Sequence, residues 1–167
     1  MLDLPLPQNS LIRSLPAPGR CPAVLPTLAF DGASKRNKPN LLVGALVLAR
    51  VVTANKDVEP ELSCMALHGP KKEWVTGLSQ FGELKDGATI NASTALCQSL
   101  LQTDCVVLQC LGRRMPFEMA VGFNGLVWVR AQSQAHHVVI TNAILNSEHL
   151  DDTQVRVMAD ELLRSVG

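Results

Sequence analysis

The sequence predicts an α+β fold in two parts, a small antiparallel β-barrel followed by a mixed domain of strands and helices. Three observations carry that expectation. Residues 41–55, LLVGALVLARVVTAN, form a β-branched and aliphatic run whose only charge is Arg50, with turn-rich sequence after it. Residues 116–131, PFEMAVGFNGLVWVRA, read as two alternating strands around Asn124 and Gly125. Helix caps followed by apolar stripes occur only beyond Trp74. A chain of 167 residues suits one ordinary domain or two small ones.

Six of the ten prolines lie in the first 26 residues. Proline fixes φ and removes a donor, so residues 1–18 are expected to be irregular. That stretch has only Asp3 as an acid, which suits a transit peptide, yet its prolines oppose the amphipathic helix such a peptide needs. A disordered or foreign N-terminus is the better reading. From Leu41 a long strand is expected, bent at Gly44 and ending at Asn55. The NKDVEPE segment reads as turn, Leu62 to Leu67 as a second short strand, and HGPKK as the end of the unit. The barrel part is therefore placed at 19–72 and the second domain at 73–167.

In the second domain a weak strand is expected around Ala88 to Asn91, then a helix capped by Ser93 and striped by Leu96, Leu100 and Leu101. Asp104 can cap a second short helix, CVVLQCLG, although Val106 and Val107 suit a strand equally well. If Asn124 and Gly125 form a type I′ turn, Phe123 pairs with Leu126, Val121 with Trp128 and Met119 with Arg130 on one face, and Ala120 opposes Val129 on the other. Two helices follow, Gln134 to about Glu148 and Asp152 to about Arg164. The last is capped by Asp151 and striped by Val155, Met158, Ala159, Leu162 and Leu163.

Composition excludes several function classes. No apolar run approaches the roughly 20 residues that span a bilayer, so a soluble protein without a membrane partner is expected. Net charge is zero, from 15 basic and 15 acidic residues. Residues 1–72 hold nine Lys or Arg against five acids and 73–167 hold six against ten, so only the front is expected to attract a polyanion. Tyr is absent, and an RNA site would have to use cations and backbone more than aromatic stacking. Five scattered cysteines without a CxxC pair read as reduced thiols in a cytosolic or nuclear protein. His136 and His137, as neighbours, point in different directions, so neither a metal nor another cofactor is expected. The chain has no GxSxG, phosphate-loop, HExxH or GxGxxG motif. Asp151 and Asp152 form a tempting carboxylate pair, but their position before an amphipathic run marks a helix cap. No active site is expected.

The best candidate for nucleic-acid contact is SKRNKPN at residues 34–40, where Lys35, Arg36, Asn37 and Lys38 place three cations and an amide in a turn. Asn55 and Lys56, in the next turn, extend the same patch or merely close a hairpin. The bland alternative is a solvated surface loop.

The stretch LAFDGASKRNKPNLLVGALVLARVVTANKDVEPELSC, together with VGFNGLVWV, resembles the ribosomal-RNA-processing protein 40 family, also called exosome component 3. NKDVEPE with GFNG is a specific combination, and the likeness runs from about Gly19 over some nine tenths of the chain. The resemblance implies a remnant of an S1-type OB β-barrel followed by a KH-like domain with an extra C-terminal helix. It also implies a non-catalytic cap subunit of the RNA exosome, whose partners are RNA, the RNase PH-like ring subunits, other cap subunits and, indirectly, a catalytic exoribonuclease. Such a subunit guides RNA toward 3′ to 5′ processing and decay, rRNA included, in nucleus, nucleolus and cytoplasm. An assembly protein of the exosome without direct RNA contact is the alternative.

Against the family, residues 1–18 are expected to stand in place of an N-terminal domain and the first barrel strands, through an alternative transcript or a misjudged gene start. About three barrel strands would remain. The KH phosphate clamp is a GxxG loop, whereas here the corresponding loop reads LQTDC, with no glycine and with Asp104. Gly122, Asn124 and Gly125 of GFNG lie in the hairpin instead, and the resemblance assigns them a structural role packing against the barrel.

Overall fold

The computed structural model describes residues 9–13, 22–55, 57–67 and 81–164. The chain divides between Lys85 and Asp86 into two compact units. The division falls later than the cut after Lys72, because residues 82–84 still pair with the first sheet.

In the first unit, strands β1 (Asn9–Arg13), β2 (Leu46–Asn55), β3 (Val58–Ser63) and β4 (Gly82–Leu84) form one antiparallel sheet. β1 pairs along Leu46 to Arg50, β4 along Leu46 to Leu48, and β3 from Arg50 onward. β1 and β4 therefore hold opposite edges of the same stretch of β2. The β2–β3 register shifts twice, between Val51 and Thr53 and between Thr53 and Asn55. Val47 and Ala49 point into a core shared with Phe30, Leu62, Cys64 and Phe81, and their two-residue spacing follows from the pleat.

Three expectations for this unit need correction. The proline-rich front contains a strand: residues 9–13 lie between Pro7 and Pro16, and the edge of β2 offers unpaired donors and acceptors to a proline-free segment. β2 starts at Leu46 rather than Leu41, because Gly44 has φ +96° and the Ala45 N–H closes a turn on the Leu42 carbonyl at 3.0 Å. NKDVEPE is mostly strand, since β3 occupies Val58–Ser63 and leaves Met65 to Leu67 outside it. Pro60 is tolerated there because it sits where the β2–β3 ladder is irregular, and its carbonyl accepts from the Val24 N–H at 2.8 Å.

The second unit has a three-stranded antiparallel sheet in the order β5 (Ala88–Asn91), β7 (Leu126–Ala131), β6 (Phe117–Val121). Helices α1 (Thr94–Leu100) and α2 (Val106–Gly112) lie between β5 and β6 in the chain, and α3 (Gln134–Asn146) and α4 (Asp152–Arg164) follow β7. Ser93 caps α1 by accepting from the Leu96 N–H at 3.0 Å, and Ser133 caps α3 by accepting from His136 at 3.2 Å. Val107 and Leu111 bury one face of α2, which decides the helix-or-strand ambiguity. Asp104 is not its cap: Cys105 occupies that position and makes no side-chain cap bond. α3 stops at Asn146 because Ser147–His149 tighten into a 3-10 turn. At α4, Gln154 accepts from the Asp151 N–H at 3.2 Å, the return half of a capping box. Val155, Ala159 and Leu163 are its buried stripe.

The hairpin differs from expectation by one residue. Gly122 donates to the Leu126 carbonyl at 2.9 Å, so residues 123–125 form the loop, and only Gly125 has positive φ, at +80°. Met119 opposes Val129, Val121 opposes Val127 and Ala120 opposes Trp128. A one-residue shift exchanges faces. Here it gathers Val121, Val127 and Val129 into the helix-facing core and leaves Glu118 and Arg130 paired at 3.4 Å on the other side. The type I′ register would have separated those valines. Trp128 is only 4% exposed, and a Cβ on Gly87 would collide with its indole.

Two measurements check this packing. In Gly125→Ala the new methyl would lie 2.8 Å from the Ala92 carbonyl in a left-handed conformation, and urea denaturation is expected to show a loss of about 1–3 kcal/mol. The Cys64 thiol is pushed up from 9.0 to about 12, first by burial and then by Asp31. Because folding favours the protonated thiol, its contribution is fully present below about pH 9 and is lost as pH climbs toward the folded value. Denaturation across pH is expected to show a fall in wild-type stability above about pH 9 that is smaller in Cys64→Ala, which retains only the raised Cys97 thiol.

Candidate nucleic-acid interface

The SKRNKPN loop is built on a fixed base. Phe30 is buried beside Cys64, whose N–H donates to the Ala29 carbonyl at 2.7 Å. The Ala33 N–H closes a turn on the Phe30 carbonyl at 3.1 Å, with Gly32 at φ +80°. The Asp31 carboxylate, 4% exposed, accepts from the Ala66 N–H at 2.9 Å and so ties the loop to the chain leaving β3. Cys64 completes the base, its thiol donating to the Leu48 carbonyl at 3.5 Å.

Above this base the turn closes on itself. Ser34 and Asn37 exchange backbone hydrogen bonds at 3.0 and 3.1 Å, and the Ser34 hydroxyl also accepts from the Asn37 N–H at 3.1 Å. This is the local hydrogen bonding for which Ser and Asn are favoured in turns. Lys35 and Arg36 form the tip, Lys38 follows, and all of residues 34–38 are exposed, while Pro39 is buried. Among the described residues no carboxylate pairs with Lys35, Arg36 or Lys38. Three exposed cations on a closed turn suit phosphate oxygens, which position a nucleic acid without reading its bases.

Asn55 ends β2 opposite Val58 and is exposed. Ser63, next to Cys64 at the base of the loop, pairs with Arg50, so five residues of β2, roughly 15 Å of strand, separate the base from the Asn55 turn. Lys56 lies outside the described residues. Gly122, Asn124 and Gly125 belong to the second unit, where the Ala92 N–H donates to the Gly125 carbonyl at 2.8 Å. A backbone hydrogen bond also links Gly125 to Cys97, whose thiol is raised by burial above all. GFNG thus fastens the hairpin tip to the β5–α1 connection. Residues 101–105 form an exposed turn up to Asp104 with no glycine.

Sequence reasoning missed Asp31 and the pair Leu42 and Val43. The signal for Asp31 was a lone acid between Phe30 and Gly32 in an acid-poor stretch. Leu42 and Val43 are 71% and 81% exposed beside the cationic loop, although their place in an aliphatic run read as strand interior. Among the described residues no group of three His, Cys, Asp or Glu side chains could hold a metal ion, and no helix is long and apolar enough to cross a membrane.

Comparison with known proteins agrees with the two units. Residues 14–74 match the family model for the S1 domain of exosome complex component RRP40, and residues 87–135 match that of a KH domain. The chain is 38% identical over 146 residues to exosome complex component rrp40 of Schizosaccharomyces pombe, covering 86% of this chain and 58% of that one. It is 36% identical over 147 residues to exosome complex component RRP40 of Mus musculus, covering 88% and 52%. The chain thus spans about half the length of the curated relatives it matches. A solved protein described as an exosome complex RNA-binding protein superposes with a TM-score of 0.65 at 18% identity, over 96% of this chain and 94% of that one, a likeness of fold alone. With matching S1 and KH models in this order and such identity across most of its length, the chain belongs to the RRP40 family of exosome complex components.

Proposed function

We propose that this chain is a non-catalytic RNA-binding subunit of the exosome cap, and that residues 34–38 touch the phosphate backbone of RNA entering the complex. The observation that carries the reading is the closed Ser34–Asn37 turn, which holds Lys35, Arg36 and Lys38 exposed on a buried base, with no carboxylate partner among the described residues. Ordering these cations in advance lowers the entropy lost when phosphate binds. Such contacts serve RNAs of many sequences, as an entry point for 3′ to 5′ processing and decay requires.

The chemistry of cleavage falls to other subunits of the complex, and this chain helps to hold the ring of RNase PH-like subunits together. Residence in nucleus, nucleolus and cytoplasm accompanies that role. A scaffold-only reading has one observation in its favour, the exposed aliphatic side chains Leu42, Val43, Val52 and Val58 of the first unit, which suit contact with protein.

One preparation separates the two readings. In the reconstituted complex, Lys35→Ala, Arg36→Ala and Lys38→Ala together are expected to weaken RNA binding for all sequences alike. The slope of log K against log salt should fall in magnitude by about 2, at about 0.7 per single-strand phosphate contact. Assembly on the ring is expected to survive, because lysine, and charged residues as a class, are depleted from the buried centres of interfaces. Unchanged RNA affinity with intact assembly would favour the scaffold.

A further inference from the structure

Residues 86–167 carry five Arg and no Lys against eight Asp or Glu, so the second unit is acidic on balance. Three of its five cations nevertheless converge. Arg113, Arg114 and Arg156, with Cys110 and Asp160, line a cavity of about 210 Å³ between the end of α2 and the middle of α4. Arg114 and Asp160 approach only to 3.8 Å, and both side chains are 57% exposed, which is too long for a hydrogen bond and too wet for a strong pair. Among the described residues no carboxylate pairs with Arg113 or Arg156. Three guanidiniums against one carboxylate leave the cavity with an excess of about two positive charges.

Helix electrostatics explain only part of this cluster. Arg113 and Arg114 lie at the C-terminal end of α2, where the dipole favours cations. Arg156 lies in the N-terminal half of α4, where the dipole gives it no support.

The lining also limits what can bind. Guanidinium forks match the paired oxygens of an oxyanion. Among the described residues no aromatic or aliphatic side chain lines the cavity, so they offer no stacking surface to a base. It also lacks the apolar anchor around which a protein interface is usually built. The domain is of KH type, yet its α1–α2 loop has no glycine and exposes Asp104. A phosphate must be held elsewhere if this unit is to hold one.

We propose that the Arg113–Arg114–Arg156 cavity is a second binding point for the RNA backbone, taking one phosphate group in place of the loose Asp160 contact. This inference rests on the RNA-binding reading above and concerns a different unit of the chain.

The test uses the full 167-residue chain, alone and in the reconstituted exosome, with fluorescent single-stranded RNA oligonucleotides of several sequences titrated over a salt series. Arg113→Ala with Arg156→Ala is expected to weaken binding about fivefold for every sequence, the scale of an exposed charge pair. The salt slope should fall in magnitude by about 0.7. Asp160→Asn, which removes the built-in competitor, is expected to tighten binding by about twofold or more. If the double variant fails to fold, as a thermal melt would reveal, the sign of the Asp160→Asn effect decides instead, and unchanged or weaker binding overturns the proposal. Unchanged affinity in the folded double variant, while the loop variant loses RNA, overturns the cavity and leaves the loop reading intact. Unchanged affinity in both variants overturns both. Unchanged RNA affinity with lost association to other subunits also overturns it and assigns the cavity to an acidic protein segment.

Discussion

The backbone of β2 has to satisfy three neighbours at once, and the architecture of the first unit depends on it. Its first half is hydrogen-bonded on both edges, to β1 and to β4, while its second half bonds β3. Charge inside so enclosed a strand would be costly, so the run carries only Arg50, whose Nε donates to the Met65 carbonyl at 3.1 Å. The same enclosure fixes Val47 and Ala49 toward the core, and that core receives Phe30. The position of the cationic turn descends from this chain of requirements. A substitution that shifted β2 by one residue would expel Phe30 from its seat and release the loop.

Much of this was legible in the sequence, and the misses share a cause. Caps and stripes are local, so Ser93, the α4 stripe and the existence of the hairpin could be read from neighbours in the chain. Register is not local. Asn124 and Gly125 fit a type I′ turn by themselves, but three valines that must face the helices selected the other alignment. The same holds for β1, which only the free edge of β2 makes a strand. Residues 34–38 were found because their cations are consecutive. The arginine cavity was not, because Arg113 and Arg156 are far apart in a segment whose summed charge is negative. Net charge over a segment says little about where the charge collects.

Among the described residues both candidate sites offer cations without aromatic platforms, in a chain with no Tyr, two Trp and four Phe. That chemistry suits grip without sequence preference, and it sets the chain apart from KH domains that clamp nucleotides on a glycine loop. The glycines it keeps serve packing instead: Gly125 binds the hairpin tip to Ala92, and Gly87 leaves room for Trp128. Glycine here makes space for protein rather than for phosphate.

The hydrogen bond between Asp31 and the Ala66 N–H spans 35 positions of the chain, whereas the β2–β3 hairpin closes across the few residues between Asn55 and Val58. Closing the longer loop first would cost about 2 kcal/mol more in chain entropy, at about 0.6 kcal/mol per doubling of length. Once the hairpin exists, much of that entropy has already been lost. The cheaper order of assembly is therefore the hairpin first and the Asp31 tie after it. Loss of the Asp31 carboxylate is accordingly expected to speed unfolding more than it slows folding, because a contact that forms after the hairpin contributes little at the folding barrier.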